Sequence, residues 1–303
     1  MANFAVVVLT YNEELHIERC LAPFINHNIP CYVVDSFSTD GTLEIASSMG
    51  AIIRKNHFIS QSQQFDWALK NADIDAEWIL RMDADETLSE ALLKKIINFT
   101  QNDGEGHAGA VLERKHIFLG RWIRHGGRYP VRILRLFRKG CAHIEEKWMD
   151  EHIVLDRGTS TILSGEFCDS NLNSISWFID KHNKYASREV IDIILSELKN
   201  STHSISSNTS TSIQWRRFLK NNIYLKLPPF IRPFCYFMYR YFLQLGFLDG
   251  KEGFAYHFMQ GFWYRCLVDL KLLEARKAMA KYTDPADKRR ALEKLTGYNL
   301  TDA

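Results

Sequence analysis

The sequence predicts an α/β fold with a largely parallel central sheet and a helical C-terminal extension. Three observations carry that reading. Short β-rich runs alternate with helical patterns over the first hundred residues, polar clusters follow three of those runs directly, and aromatic residues at helical spacing fill the last third. In order, the pattern gives a strand over 4–9, a helix near 14–26, a strand over 31–34, a helix over 42–49, a strand over 51–54, a helix over 60–71, a strand over 78–82 and a helix over 88–99. Sheets wound in this way bind ligands outside the C-terminal ends of their strands, where residues 10–14, 35–40 and 83–86 all fall. From 108 to 163 short strands and turns carry a dense basic stretch, and helix returns over 174–195. The polar run KNSTHSISSNTSTS at 199–212 reads as a linker, which divides the chain into an α/β domain over 1–198 (halves 1–100 and 101–198) and a helical region over 213–303.

At 303 residues, 46% hydrophobic and 24% charged, the chain can bury a core, which excludes a disordered protein. The formal charge of +2 conceals an asymmetry: residues 212–303 hold 16 Lys and Arg against 8 Asp and Glu, whereas residues 1–211 hold 22 against 28. With its aromatic content, this basic tail points to an anionic membrane surface, and no nucleic acid is expected as partner. Six scattered cysteines suggest neither a disulfide framework nor a zinc site. The apolar run at 4–9 reads as a strand and not as an export signal, so a cytoplasmic location is expected. Residues 227–248 are apolar but broken by Pro228, Pro229, Arg232, Pro233 and Arg240, which suits a segment that lies on a membrane without crossing it.

Asp83, Ala84 and Asp85 follow a strand, and carboxylates two apart at a strand end can converge on one divalent cation bridging diphosphate oxygens. The plainer alternative is that Asp85 or Thr87 caps the next helix while Glu86 complements its dipole. After the first strand stand Thr10, Tyr11, Asn12 and Glu13, and after the second the run from Asp35 to Thr42. A carboxylate there can accept from a base N–H or a ribose hydroxyl, and Tyr11 offers a face for stacking. Helix capping by Ser38, Thr39 or Asp40 is the competing use. No glycine-rich dinucleotide fingerprint or P-loop occurs at these strand ends.

TYNEE at 10–14, DSFSTDGT at 35–42 and LRMDADE at 80–86, in this order and spacing, resemble the motifs of family 2 glycosyltransferases, inverting enzymes with the GT-A fold. The resemblance implies that Thr10, Tyr11, Glu13, Asp35, Gln64 and Arg81 line a nucleotide-sugar pocket. It implies that Asp83 contacts ribose or sugar and that Asp85, with Asp83, binds Mg²⁺ or Mn²⁺. Arg114-Lys115, FLGRW at 118–122, RLFR at 135–138, WMDEH at 148–152 and GFLDGK at 246–251 are similar to the branch that builds lipopolysaccharide core or exopolysaccharide. That branch implies a UDP-sugar donor and a lipid-linked or lipopolysaccharide acceptor, and with the basic, aromatic tail a peripheral position on the inner face of the bacterial cytoplasmic membrane is expected.

Inversion requires one carboxylate to deprotonate the acceptor hydroxyl, and Asp150 and Glu151 are the candidates, with Glu151 preferred. Between Arg114 and Lys139 stand nine Lys or Arg and no acid, from which Arg128, Arg132 and Arg135 are read as phosphate or acceptor contacts. A solvated strand face is the alternative for each. His125 and His152 lie near enough to the motifs to be considered, though a structural role is the plainer reading of each. In the tail, Phe234, Phe237, Met238, Tyr241, Phe242 and Leu245 recur at helical spacing, either as an interfacial helix or as a stripe packed on the core. The rival functions are a sugar-1-phosphate nucleotidyltransferase, which would want a Gly- and Arg-rich loop where TYNEE stands, and a non-catalytic nucleotide-sugar scaffold, which would not need the acids.

Overall fold

A computed structural model of the chain describes residues 3–145, 151–200 and 228–300. It divides into two compact units, Met1–Ser174 and Ile175–Ala303.

In the first unit, β1 (Phe4–Thr10) is flanked by β2 (Cys31–Asp35) on one side and β4 (Trp78–Asp83) on the other, all parallel, with β3 (Ile52–Lys55) outside β2. The central strands β1 and β2 are nearly continuous apolar runs because both faces of the sheet are covered there. Alternate β1 residues feed two cores: Phe4, Val6 and Val8 pack with α1 (Ile17–Ile25), α2 (Thr42–Ser48) and α4 (Glu90–Gln101), and Ala5 and Val7 pack with α3 (Gln61–Asn71). Burying each Leu, Ile or Phe here contributes about 1.5–3 kcal/mol. Trp78 is wholly buried edge-on to Phe99, and it leaves room only for Gly104, where a Cβ would lie 2.5 Å from the indole.

The sheet continues with β8 (Val131–Arg138), antiparallel to β4, then β6 (Gly109–Phe118), β11 (Ser160–Ser170) and β5 (Glu86–Leu88), with β7 (Arg121–Ile123) on β6. A separate ribbon pairs β9 (Ala142–Ile144) with β10 (Ile153–Leu155). The fold is GT-A-like. Its chain order reverses between β1 and β4, a topological switch of the kind that opens a ligand crevice.

Two local expectations are corrected. Residues 86–88 form β5, paired with β11, and α4 starts only at Glu90, where Ser89 Oγ accepts from Leu92 N at 3.3 Å. Neither Asp85 nor Thr87 is the helix cap.

In the second unit, α5 (Ile175–Asn200) packs with α8 (Tyr264–Met279), and Glu189 accepts from Tyr264 Oη (2.6 Å) and Arg265 (2.7 Å). The division between the units therefore falls one helix ahead of the boundary expected at 199–212, and nearly all of that run lies outside the described residues. The unit is completed by α6 (Ile231–Met238), α7 (Gly250–Tyr256) and α9 (Pro285–Thr296), with π-helical turns at Tyr239–Leu243 and His257–Trp263. The aromatic stripe is split. Phe237 is buried against Tyr241, Phe254, Phe258 and Phe262, and a left-handed Leu245 ends the helical run, so Phe234, Phe242 and Leu245 stay exposed. No helix among the described residues is long and apolar enough to cross a membrane.

Candidate functional site

Parallel register sets the site. Thr10 stands opposite Asp35, and Leu9 stands opposite Asp83, so the three polar clusters end at one level of one rim. The loops after β1 and β2 are stitched together: Asn12 N donates to Ser38 Oγ (2.8 Å), Thr39 N to Asn12 Oδ1 (2.8 Å) and Gly41 N to Glu14 Oε2 (2.9 Å). Asp40 accepts from Thr42 N (3.1 Å), but the N-cap of α2 is Gly41, so the capping expected of Ser38, Thr39 or Asp40 is not the arrangement found. Burial alone would raise the Asp40 pKa, but the Thr42 hydroxyl and amide lower it.

Asp35 is fully buried and accepts from Thr10 Oγ1 (2.9 Å), Ser38 N (2.8 Å) and Ser38 Oγ. Its oxygens thus hold the loop. Glu13 faces His16, whose ring nitrogens can be told apart: Leu172 N donates to Nε2 (2.9 Å), so Nδ1 carries the proton and donates to Glu13 Oε2 (2.7 Å). Gln64 is buried as a brace, accepting from Asn56 Nδ2 (2.8 Å) and donating to Ser36 Oγ (3.1 Å). Tyr11 is 58% exposed on the rim, as a stacking face requires.

A buried ionic ladder lies behind the rim. Arg135 Nη2 donates to Asp83 Oδ2 at 2.7 Å and to Glu86 Oε1 at 2.5 Å, Glu86 also accepts from Arg114 (3.2 Å), and Arg114 stands 3.6 Å from Asp169, which meets His116. Leu134 and Leu136 oppose the consecutive residues Val111 and Ala110 on β6, which makes Arg135 the extra residue of a β-bulge. Bulges next to sites re-aim a side chain in this way. Burial would raise the Asp83 pKa, but Arg135 and Arg81 overcome it and hold the carboxyl well below the usual range. Burial pushes Glu86 up to about 7, with Asp83 adding to the rise and both guanidiniums opposing it.

On the other side of Asp83, Arg81 lies over the Phe65 ring (5.1 Å), 3.8 Å from Asp83 and 3.6 Å from Glu151. Glu151 is buried to 8% side-chain exposure, and burial raises its pKa against the pull of Arg81. Asp150 lies outside the described residues. Gln61, which no sequence signal singled out, touches both Arg81 and Glu151.

Asp85 sits in the turn between β4 and β5, where Asn171 Nδ2 donates to Oδ2 (3.0 Å) and Ser170 N to its carbonyl (3.0 Å). Among the described residues, no three His, Cys, Asp or Glu are grouped to hold a metal. The donor set suits the Mg²⁺ mode of binding, in which one or two carboxylates share the ion with substrate phosphates and water. Asp83, with a guanidinium on each side, is the poorer of the two ligands for a cation.

The basic stripe does not act as one surface. Arg135 is buried in the ladder, Arg132 is exposed and pairs across the strands with Glu113 (3.1 Å), and half-buried Arg128 lies in the turn before β8, its N–H on the His125 carbonyl. His152 is exposed, 3.5 Å from Glu145.

An uncharacterized glycosyltransferase of Rickettsia typhi is 24% identical over 203 residues, spanning 64% of this chain and 69% of that protein. Protein RfbJ of Shigella flexneri is 31% identical over 100 residues, 32% of this chain and 74% of that protein. Residues 1–349 of S. aureus TarS, crystallised with UDP-GlcNAc, are 14% identical at a TM-score of 0.46, with 93% of each chain covered. The family described as Glycosyl transferase family 2 matches residues 5–167, more than half of the chain, and this protein is therefore a glycosyltransferase of family 2.

Proposed function

We propose that this glycosyltransferase moves a sugar, with inversion, from a nucleoside diphosphate donor, a UDP-sugar, to a lipid-linked or lipopolysaccharide-type saccharide at the inner face of the cytoplasmic membrane. The observation that carries the chemistry is the different surroundings of two carboxylates: Glu151 is buried beside Arg81, and Asp85 lies in the β4–β5 turn, accepting from Asn171. A base must be able to take a proton, and burial raises the proton affinity of Glu151.

The acceptor hydroxyl gives its proton to Glu151 as its oxygen bonds to the anomeric carbon. The bond from that carbon to the diphosphate oxygen breaks, and its electron pair leaves with the nucleoside diphosphate. Asp85, with Asp83 secondary, would hold a Mg²⁺ or Mn²⁺ ion whose chemistry there is to neutralise the leaving diphosphate. Arg81 Nε has no hydrogen-bond partner among the described residues, a buried donor that suits an anionic ligand. Tyr11 offers its exposed ring for stacking on the nucleobase. Arg128 remains the candidate for acceptor phosphate.

The UDP-sugar and the acceptor class rest on the sequence resemblance, and the membrane position rests on the basic, aromatic tail. Thermal stabilisation against a panel of nucleotides and nucleotide sugars, with and without Mn²⁺, tests the donor. A Mn²⁺-dependent rise with UDP and one UDP-sugar is expected, and no rise with any nucleotide overturns the reading. Glu151→Gln should lower kcat by about 10²–10⁴-fold, the usual share of a general base. Near-normal turnover in that variant would remove Glu151 as the base.

A further inference from the structure

We propose that Gln61 is a positioning residue for Glu151: its side-chain amide bridges Arg81 and Glu151 and adds a neutral donor that orients the carboxylate beside its long ion pair with Arg81. The proposal rests on the reading of Glu151 as the base.

Gln61 opens α3, and Ser60 Oγ fixes that helix start by accepting from Gln63 N at 3.2 Å. The amide orientation follows from its neighbours, since a guanidinium only donates and a carboxylate only accepts. The carbonyl oxygen therefore accepts from Arg81 Nη2 at 2.7 Å, and the NH₂ donates to Glu151 Oε1 at 3.1 Å. Arg81 itself stands 3.6 Å from Glu151, a long ion pair, while it also lies over Phe65 and faces Asp83 at 3.8 Å. Among the described residues, the charged groups that face Glu151 are Arg81 and, behind it, Asp83, both on β4. A carboxylate paired directly with arginine is a poor base. A neutral amide donor fixes the orientation of the carboxylate and lowers its proton affinity less than a close guanidinium would.

The test needs no substrate. The side-chain carboxyl carbon of Glu151 in ¹³C-Glu-labelled full-length protein is assigned by its loss in Glu151→Gln, and its titration is followed by NMR. Gln61→Met has nearly the same length and lacks both polar atoms. Removing a hydrogen bond to a charged group should raise the midpoint of Glu151 by about one pH unit or more, a tenfold gain in proton affinity. Gln61→Glu, equal in shape, sets a second carboxylate beside the first and should raise the midpoint as well. It also serves if the Met variant fails to fold. A midpoint that is unchanged or lower in the variants that fold overturns the proposal. Turnover retained by Glu151→Gln would overturn the base assignment and leave the titration result standing, so the two failures are distinguishable.

Discussion

Arg135 shows how one side chain can be given a role other than the one its composition suggests. In the sequence it belongs to a run of cations suited to phosphate, but in the fold the bulge in β8 turns it between Asp83 and Glu86. Arg135→Ala would leave two carboxylates facing each other in a buried site. A loss of about 3–5 kcal/mol is expected, read from urea unfolding at pH 7, whereas Arg132→Ala at the exposed Glu113 pair should cost under about 1 kcal/mol. Asp83 also ties stability to pH. Its folded-state pKa lies below its unfolded value, so its contribution is complete above the ordinary carboxylate range and is lost as pH falls through the folded value. Unfolding measured from pH 6 down to pH 3 should therefore weaken the wild type more steeply than Asp83→Asn, and parallel curves would contradict the pairing with Arg135. Asp85 carries the opposite expectation. Its replacement by Asn keeps the shape of the turn, so metal-dependent turnover should vanish while the melting temperature stays within a few degrees.

At the level of elements, what was legible in the sequence is what the chain encodes locally. Runs such as FAVVVLT and WILRMD declare buried strands, and their parallel register alone brings Thr10, Asp35 and Asp83 level. Contacts between distant segments were not legible. Gln61 meets Glu151, and Arg114 meets Asp169, only because β-strand pairing and the ribbon of β9 and β10 bring those segments together, and no spacing in the sequence encodes either meeting. Three-residue β5 escaped for a related reason: it is a strand only through its partner β11, and Glu-Thr-Leu has no period of its own. The correction at α4 can be measured. Ser89→Ala should cost about 1 kcal/mol, the usual worth of an N-cap, and Thr87→Ala should not reproduce a cap's loss. Equal effects at both positions would return the helix start to residue 88.

At the scale of the whole molecule, the second unit carries an apolar surface that its own core does not use. Phe237 anchors the interior, while Phe234, Phe242, Leu243, Leu245, Phe247 and Leu248 lie between 43% and 75% exposed. Exposed apolar side chains gathered in one segment suit a partner or a membrane. The surrounding sequence is basic, with 16 Lys and Arg against 8 acids over 212–303, which suits an anionic bilayer. The structure changes the test: the residues to replace are the outward ones, since Phe237→Ser would damage the core and lower binding for the wrong reason. Phe242→Ser with Leu243→Ser should leave the melting temperature nearly unchanged. Removing two side chains that insert would forfeit roughly 3 kcal/mol, on the order of a hundredfold in partitioning onto anionic vesicles measured by co-sedimentation. Salt then separates the two forces, because raising ionic strength weakens the basic contribution and leaves the apolar one in place. Wild-type-like sedimentation of the double variant at both low and high salt would mean that these side chains do not enter the bilayer, and the peripheral position would then have to rest on charge alone.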